Sequence, residues 1–275
     1  MADEERDSHA AIVVFGAGFA VGTLGGLIGL GGAEFRLPLL IGVFGFVALQ
    51  AVILNKAMSL VVVATALPAR LINIPWSDLT PHWNVVINLL VGSLVGAWLG
   101  ASAATRLDNR TLHRVLGVLL AAIAVVLVVT HTADLDGLGL SGPTQVIVGV
   151  FAGLGIGVVA SVMGVAGGEL LIPTIVLLYG VDIKIAGSLS LMVSLPTMLM
   201  AFARYSRDGS FVVLHQNRRF VVTMAAGSIA GAFAGGLLVG VVPDSVLIPV
   251  LAAILAIRAV KVWTEGKRTV RHASA

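Results

Sequence analysis

Long apolar runs separated by short polar linkers cover most of the chain. We identify ten apolar segments, at residues 11–33, 37–54, 57–74, 83–104, 114–131, 144–166, 170–181, 185–203, 219–242 and 245–263. A membrane-crossing helix needs about 20 apolar residues, so the pattern predicts an all-α polytopic membrane protein. The segments at 37–54 and 170–181 look short and each follows a glycine cluster. The prediction is therefore about eight full spans, and it leaves open whether the two short segments are re-entrant.

Composition and charge agree with this pattern. Hydrophobic residues make up 58% of the chain and charged residues 11%, whereas soluble proteins carry roughly 25% charged residues. This balance excludes an ordinary soluble enzyme and a nucleic-acid binder, and it makes the lipid bilayer the expected partner. The chain has no cysteine and its histidines lack ligand spacing, so we expect neither a metal nor a cofactor.

The distribution of basic residues orients the segments. Arginine and lysine concentrate in the linkers 105–114 and 204–219 and in the C-terminal tail, while the linker 132–143 carries none. By the positive-inside rule, the basic linkers and both termini are cytoplasmic and 132–143 is external. The predicted domains are a cytoplasmic tail (1–10), a first membrane repeat (11–131), the external linker (132–143), a second repeat (144–263) and a basic tail (264–275).

A ten-residue element occurs twice. The stretch Gly29–Pro38 reads GLGGAEFRLP and Gly164–Pro173 reads GVAGGELLIP, with glycine, glutamate and proline in register. Since the linkers after the third and fourth segments change sides between the halves, the two repeats should be inverted relative to each other. Inverted repeats with broken helices are typical of secondary transporters, with the substrate site at the repeat interface.

Each repeated element predicts a helix that starts inside the membrane, because glycines turn the chain and we expect the proline in the first turn of a new helix. Such a start points free N–H groups and a positive dipole end into the protein and can hold an anion. The predicted backbone ligands are Gly29, Gly31, Gly32, Ala33, Gly164, Gly167 and Gly168. The predicted side-chain ligands are Glu34, Asn55, Lys56, Ser59, Glu169, Ser188 and Ser190, with Arg36 as an alternative counter-charge to Lys56.

These side chains have alternative structural roles. Glu34 and Glu169 could carry protons across the membrane or cap the new helices. Lys56 could extend to the membrane interface, and the serines could bond their own helix carbonyls. The spaced glycines 92, 96, 100 and 227, 231, 235 indicate close helix packing rather than a ligand site.

These motifs resemble the TauE/SafE sulfite exporter family. The similarity rests on the two glycine-rich copies, on the segment 182–190 and on Ala203-Arg204-Tyr205, and it spans residues 11 to 263. Ala33 departs from the family pattern, where a third glycine is commoner.

The resemblance implies a multi-pass permease of the bacterial inner membrane, not an enzyme. It implies export of small sulfur-containing anions such as sulfite, sulfoacetate or related organosulfonates. An anion channel, or a carrier for another small organic acid, fits the same residues, and so does a homo-oligomer.

Overall fold

The computed structural model describes residues 2–106, 142–206, 212–239 and 241, except the side chains of 2–10, 34 and 206. These residues form helices and connecting turns, and no strand occurs among them. The helices are α1 Ala2–Ile28, α2 Ala33–Gly42, α3 Ala48–Leu71, α4 Trp76–Leu79, α5 Trp83–Ala104, α6 Gly142–Met163, α7 Gly168–Tyr179, α8 Ile183–Ser206, α9 Val212–Gln216 and α10 Arg218–Leu238. A 3-10 turn, Thr80–His82, joins α4 to α5.

Within the described ranges, 6 helices are long and apolar enough to cross a membrane, namely α1, α3, α5, α6, α8 and α10. Helix α7 is apolar but shorter. The protein is therefore a multi-pass helical membrane protein. The predicted segments 114–131 and 245–263 lie outside the described residues, so the total of eight spans stays a prediction.

The order of helices recurs after half the chain. Helices α2, α3 and α5 begin at Ala33, Ala48 and Trp83, and α7, α8 and α10 each begin 135 residues later. Helices α1 and α6 end at the same spacing, at Ile28 and Met163. The sequence repeat thus corresponds to a repeat of local structure, with a long helix, a break, a short helix and a second long helix in each half.

The predicted boundary between the segments 37–54 and 57–74 is wrong. Helix α2 ends at Gly42, Gly45 turns the chain with a φ of 72°, and α3 continues unbroken from Ala48 to Leu71. Asn55 and Lys56 look like a polar linker but lie in the middle of α3, 0% and 1% exposed. The interior of the protein, not an aqueous loop, surrounds them.

The two prolines of the repeated element are also placed differently. Pro38 and Pro173 are the sixth residues of α2 and α7, not first-turn residues. A proline there has no N–H to donate to the carbonyl four residues earlier, which belongs to Glu34 or Glu169. Pro68 and Pro196 lie inside α3 and α8, as predicted.

The two halves interleave through glycine-lined contacts. Helix α1 packs along α10, and α6 packs along α5, so the first helix of each half lies on the last long described helix of the other half. Gly227, Gly231 and Gly235 lie directly against the backbone carbonyls of Phe15, Phe19 and Thr23. Gly92, Gly96 and Gly100 meet the carbonyls of α6 in the same way. The predicted packing role of these glycines is confirmed, because a side chain there would separate the helices.

Candidate functional site

Two left-handed glycines form each helix break. Gly29 and Gly32 have φ of 91° and 65°, and Gly164 and Gly167 have φ of 70° and 83°. Residues with a Cβ seldom adopt these angles, so the glycines at these positions determine where α1 and α6 stop. The sequence placed both breaks at the correct residues.

The two breaks contact each other inside the protein. A Cβ built on Gly31 would lie 2.5 Å from the Cβ of Ala166, and one on Gly168 would lie 3.0 Å from the carbonyl oxygen of Gly29. Leu30 and Ala166 are 0% and 1% exposed. We call residues 29–32 and 164–168 the break junction. Gly31 and Ala166 are equivalent in the repeat, so the junction lies where the two halves meet.

Each break also rests on the second long helix of the opposite half. The first break lies against Gly187 of α8, 2.5 Å from its oxygen to a Cβ built on Gly29. The second break lies against α3, with Gly164 next to the carbonyl of Val52. The hydroxyl of Ser190 donates to the carbonyl of Gly29 at 2.8 Å, which fixes the first break to α8.

Helices α2 and α7 both begin at the break junction. Their N-cap residues, Gly32 and Gly167, provide no side-chain cap. The residues on either side of these caps that have described side chains are buried. Because the first N–H groups of a helix lack intrahelical acceptors and the dipole is positive there, the junction is an electropositive backbone surface enclosed in protein.

Asn55 is a buried amide beside the second break. Among the described residues, neither its Oδ1 nor its Nδ2 has a hydrogen-bond partner, although the side chain is 0% exposed. It lies one helical turn along α3 from Val52, whose carbonyl contacts Gly164, and residues three apart share a helix face. An unsatisfied buried polar group costs about 1–3 kcal/mol, which a polar ligand at this position would recover.

The cations predicted near the site are both buried. Arg36 of α2 is 0% exposed and donates to the hydroxyl of Ser59 at 3.3 Å. The ammonium of Lys56 donates to the carbonyls of Ala160 at 3.1 Å and Val165 at 2.9 Å. The interpretation of Lys56 as an interfacial side chain is therefore wrong, because backbone carbonyls of the other half hold its charge inside.

Arg70 is a buried cation to which the sequence assigned no role. Its guanidinium donates to the carbonyls of Gly26 and Leu27 at the end of α1, to Lys184 at the start of α8 and to the hydroxyl of Ser188. The only sequence signal was its recurrence with Tyr205 in the two halves. The Tyr205 hydroxyl donates to the carbonyl of Ser161, near the end of α6, at 2.9 Å.

The remaining predicted side chains divide between structural and unassigned roles. Ser188 and Ser190 donate to the helix carbonyls of Lys184 and Gly187, as the structural alternative expected. Glu169 is 2% exposed and interacts electrostatically with Lys56. Glu34 belongs to α2, and its side chain lies outside the described residues.

The buried charges are distributed unequally between the halves. Arg36, Lys56 and Arg70 all belong to the first half, and the positions 135 residues later are apolar or neutral: Leu171, Leu191 and Tyr205. Glu169 is the one buried carboxylate with a described side chain. No group of three metal-ligating side chains occurs in the described part of the chain.

The family model of the sulfite exporter TauE/SafE matches residues 14–262, which is nearly the whole chain. The protein belongs to the TauE/SafE family. The resemblance drawn from the glycine motifs is thereby confirmed, and a membrane transporter of sulfur compounds is the function that the family implies. Neither the curated proteins nor the solved structures yield a match to this TauE/SafE chain.

Proposed function

We propose that this TauE/SafE protein is a secondary transporter that exports a small sulfur-containing anion and binds it at the break junction. The observation that carries the proposal is the meeting of two uncapped helix starts beside Asn55, a buried amide with no partner among the described residues. Backbone N–H groups and an amide are suitable donors for an oxygen-rich anion.

The charge near the junction supports an anionic ligand. Arg36 and Lys56 are buried there, and Glu169 is the carboxylate that interacts with Lys56. Buried charges need partners, and a bound anion would add one negative charge to this group. Sulfite, sulfoacetate and related organosulfonates are the substrates we propose, since their sulfur-bound oxygens can accept several hydrogen bonds at once.

The sealed junction favours a carrier over a channel. Leu30, Ala33 and Ala166 are at most 1% exposed, so a solute at the junction has no open path in this conformation. Transport would then require the packing around the breaks to change, as expected for alternating access. Export of an anion from a cell that is negative inside is favourable by about 2.3 kcal/mol per charge per 100 mV, so a uniporter would suffice.

Counterflow of labelled sulfite and sulfoacetate into proteoliposomes tests the proposal. We expect saturable, trans-stimulated uptake by the wild type, and a KM about 10-fold or more higher for Asn55→Ala, because a hydrogen bond to a charged group contributes about 1.5–3 kcal/mol. Asn88→Ala is the matched control, since Asn88 is also buried but donates to Tyr179 on α7. An unchanged KM in a folded Asn55→Ala variant would remove Asn55 from the site.

Two further outcomes of the same assay have defined meanings. Flux that neither saturates nor responds to substrate on the trans side would indicate a channel. Absence of flux for both anions in the wild type would refute the sulfur-anion assignment and favour another small organic acid. The double variant Glu34→Gln with Glu169→Gln decides between proton coupling and uniport: we expect flux to survive, because Glu169 already serves as a counter-charge to Lys56.

A further inference from the structure

The Lys56 ammonium lies in a small cluster of backbone carbonyls. It contacts the oxygen of Ala160, in the last turn of α6, and that of Val165, inside the second break. The N–H of Val165 also donates to Ala160, so one carbonyl serves both groups. Lys56 is 1% exposed, so no bulk water replaces these contacts.

The place where the ammonium lies has the chemistry of a cation site. The carboxyl end of a helix carries a negative partial charge and unpaired carbonyls. In carriers with broken helices, unwound carbonyls and such helix ends coordinate a free Na⁺. Here a positively charged side chain from α3 lies at the equivalent kind of position, and it interacts electrostatically with Glu169.

The end of α1 is treated in the same way. The position equivalent to Lys56 is Leu191, which cannot supply a charge. Instead, the guanidinium of Arg70 donates to the carbonyls of Gly26 and Leu27 at the end of α1. Both broken helices therefore end on a cation of α3, although the two cations occupy positions that are not equivalent in the repeat.

We propose that the carbonyls of Ala160 and Val165 form a monovalent-cation site and that Lys56 fills it permanently as a tethered cation. The fold then requires no free Na⁺ or K⁺ at the second break. Removing the side chain should open the site to a free cation. This inference concerns the stability of the fold, so it stands or fails independently of the proposed transport function.

Thermal unfolding of the detergent-purified protein tests it. The Lys56→Ala variant should unfold at a lower temperature than the wild type in choline chloride, because the carbonyls lose their charged partner. Adding NaCl, or n-propylammonium chloride in a second series, at constant ionic strength should raise its Tm saturably by about 3 °C or more. The n-propylammonium ion has the same heavy atoms as the deleted part of the side chain. The wild type should respond to neither salt beyond its response to choline chloride.

Leu191→Ala is the matched control, because it removes a buried side chain at the equivalent position without removing a charge. It should lose stability but show no cation-specific recovery. If Lys56→Ala responds no more than this control, or if the wild type itself is stabilised specifically by Na⁺, the proposal is refuted. Should Lys56→Ala fail to fold, Lys56→Arg must be more stable than Lys56→Gln, since the site requires charge; the reverse order refutes it as well.

Discussion

At the scale of single residues, the interior of this protein is organised by side chains that satisfy carbonyls left open by broken helices. A carbonyl without a donor in a low-dielectric interior is costly. Arg70 meets this need at the end of α1, and Tyr205 meets it near the end of α6. Large polar side chains are therefore fully buried here without being ligands.

Replacing Arg70 should be among the most damaging single changes. Arg70→Met removes donors to three carbonyls and one hydroxyl, and each unsatisfied group costs about 1–3 kcal/mol. Tyr205→Phe, at the equivalent position, removes one hydrogen bond and should cost about 1 kcal/mol. Chemical unfolding in detergent measures both. Equal losses for the two variants would contradict the structural role assigned to the guanidinium.

Part of this residue-level picture could be predicted from sequence, and part could not. Asn55, Lys56 and the glycines stood out as polar or small residues in apolar runs. Arg70 and Ser194 did not, because their partners are backbone carbonyls more than 25 residues away, and a carbonyl has no sequence signature. The interpretation of Lys56 as interfacial failed for the same reason.

At the scale of helices, glycine conformation determines where the chain breaks. The breaks were predictable because the glycines recur in both halves and because left-handed backbone favours glycine. The start of α3 was not, since Asn55 and Lys56 interrupt an apolar run that the structure continues as one helix. A pattern-based boundary assumes that charge means water, and that assumption fails in a polar interior.

A graded series of glycine substitutions separates backbone strain from crowding. Gly16→Ala should stabilise slightly, because nothing lies within 4 Å and the backbone is helical. Gly180→Ala adds only left-handed strain, with a φ of 64° and open space around it, at about 1–2 kcal/mol. Gly164→Ala adds a clash with the carbonyl of Val52 to that strain. The expected order of Tm is Gly16→Ala, wild type, Gly180→Ala, Gly164→Ala. A Gly164→Ala variant as stable as Gly180→Ala would show that the second break tolerates movement.

At the scale of the whole molecule, the two halves depend on each other. The first helix of each half packs on the last long described helix of the other, and the breaks meet at Gly31 and Ala166. The sequence predicted the duplication but not this exchange of partners, because packing between distant helices leaves only small-residue spacing behind. The unequal distribution of charge shows that the halves have diverged in chemistry while keeping their helix boundaries.

Inversion of the halves leads to a definite prediction of sidedness. Ser77 in α4 and Val212 in α9 are 135 residues apart in corresponding short helices, and both are exposed. If the repeats are inverted, Ser77 faces the outside and Val212 the cytoplasm, as the basic linker 204–219 indicates. The chain has no cysteine, so Ser77→Cys and Val212→Cys each introduce the sole thiol. A membrane-impermeant maleimide should label Ser77→Cys in intact cells and Val212→Cys only after permeabilisation. Labelling of both from the same side would mean parallel repeats, and the two helix starts at the junction would then have to approach the ligand from the same side of the membrane.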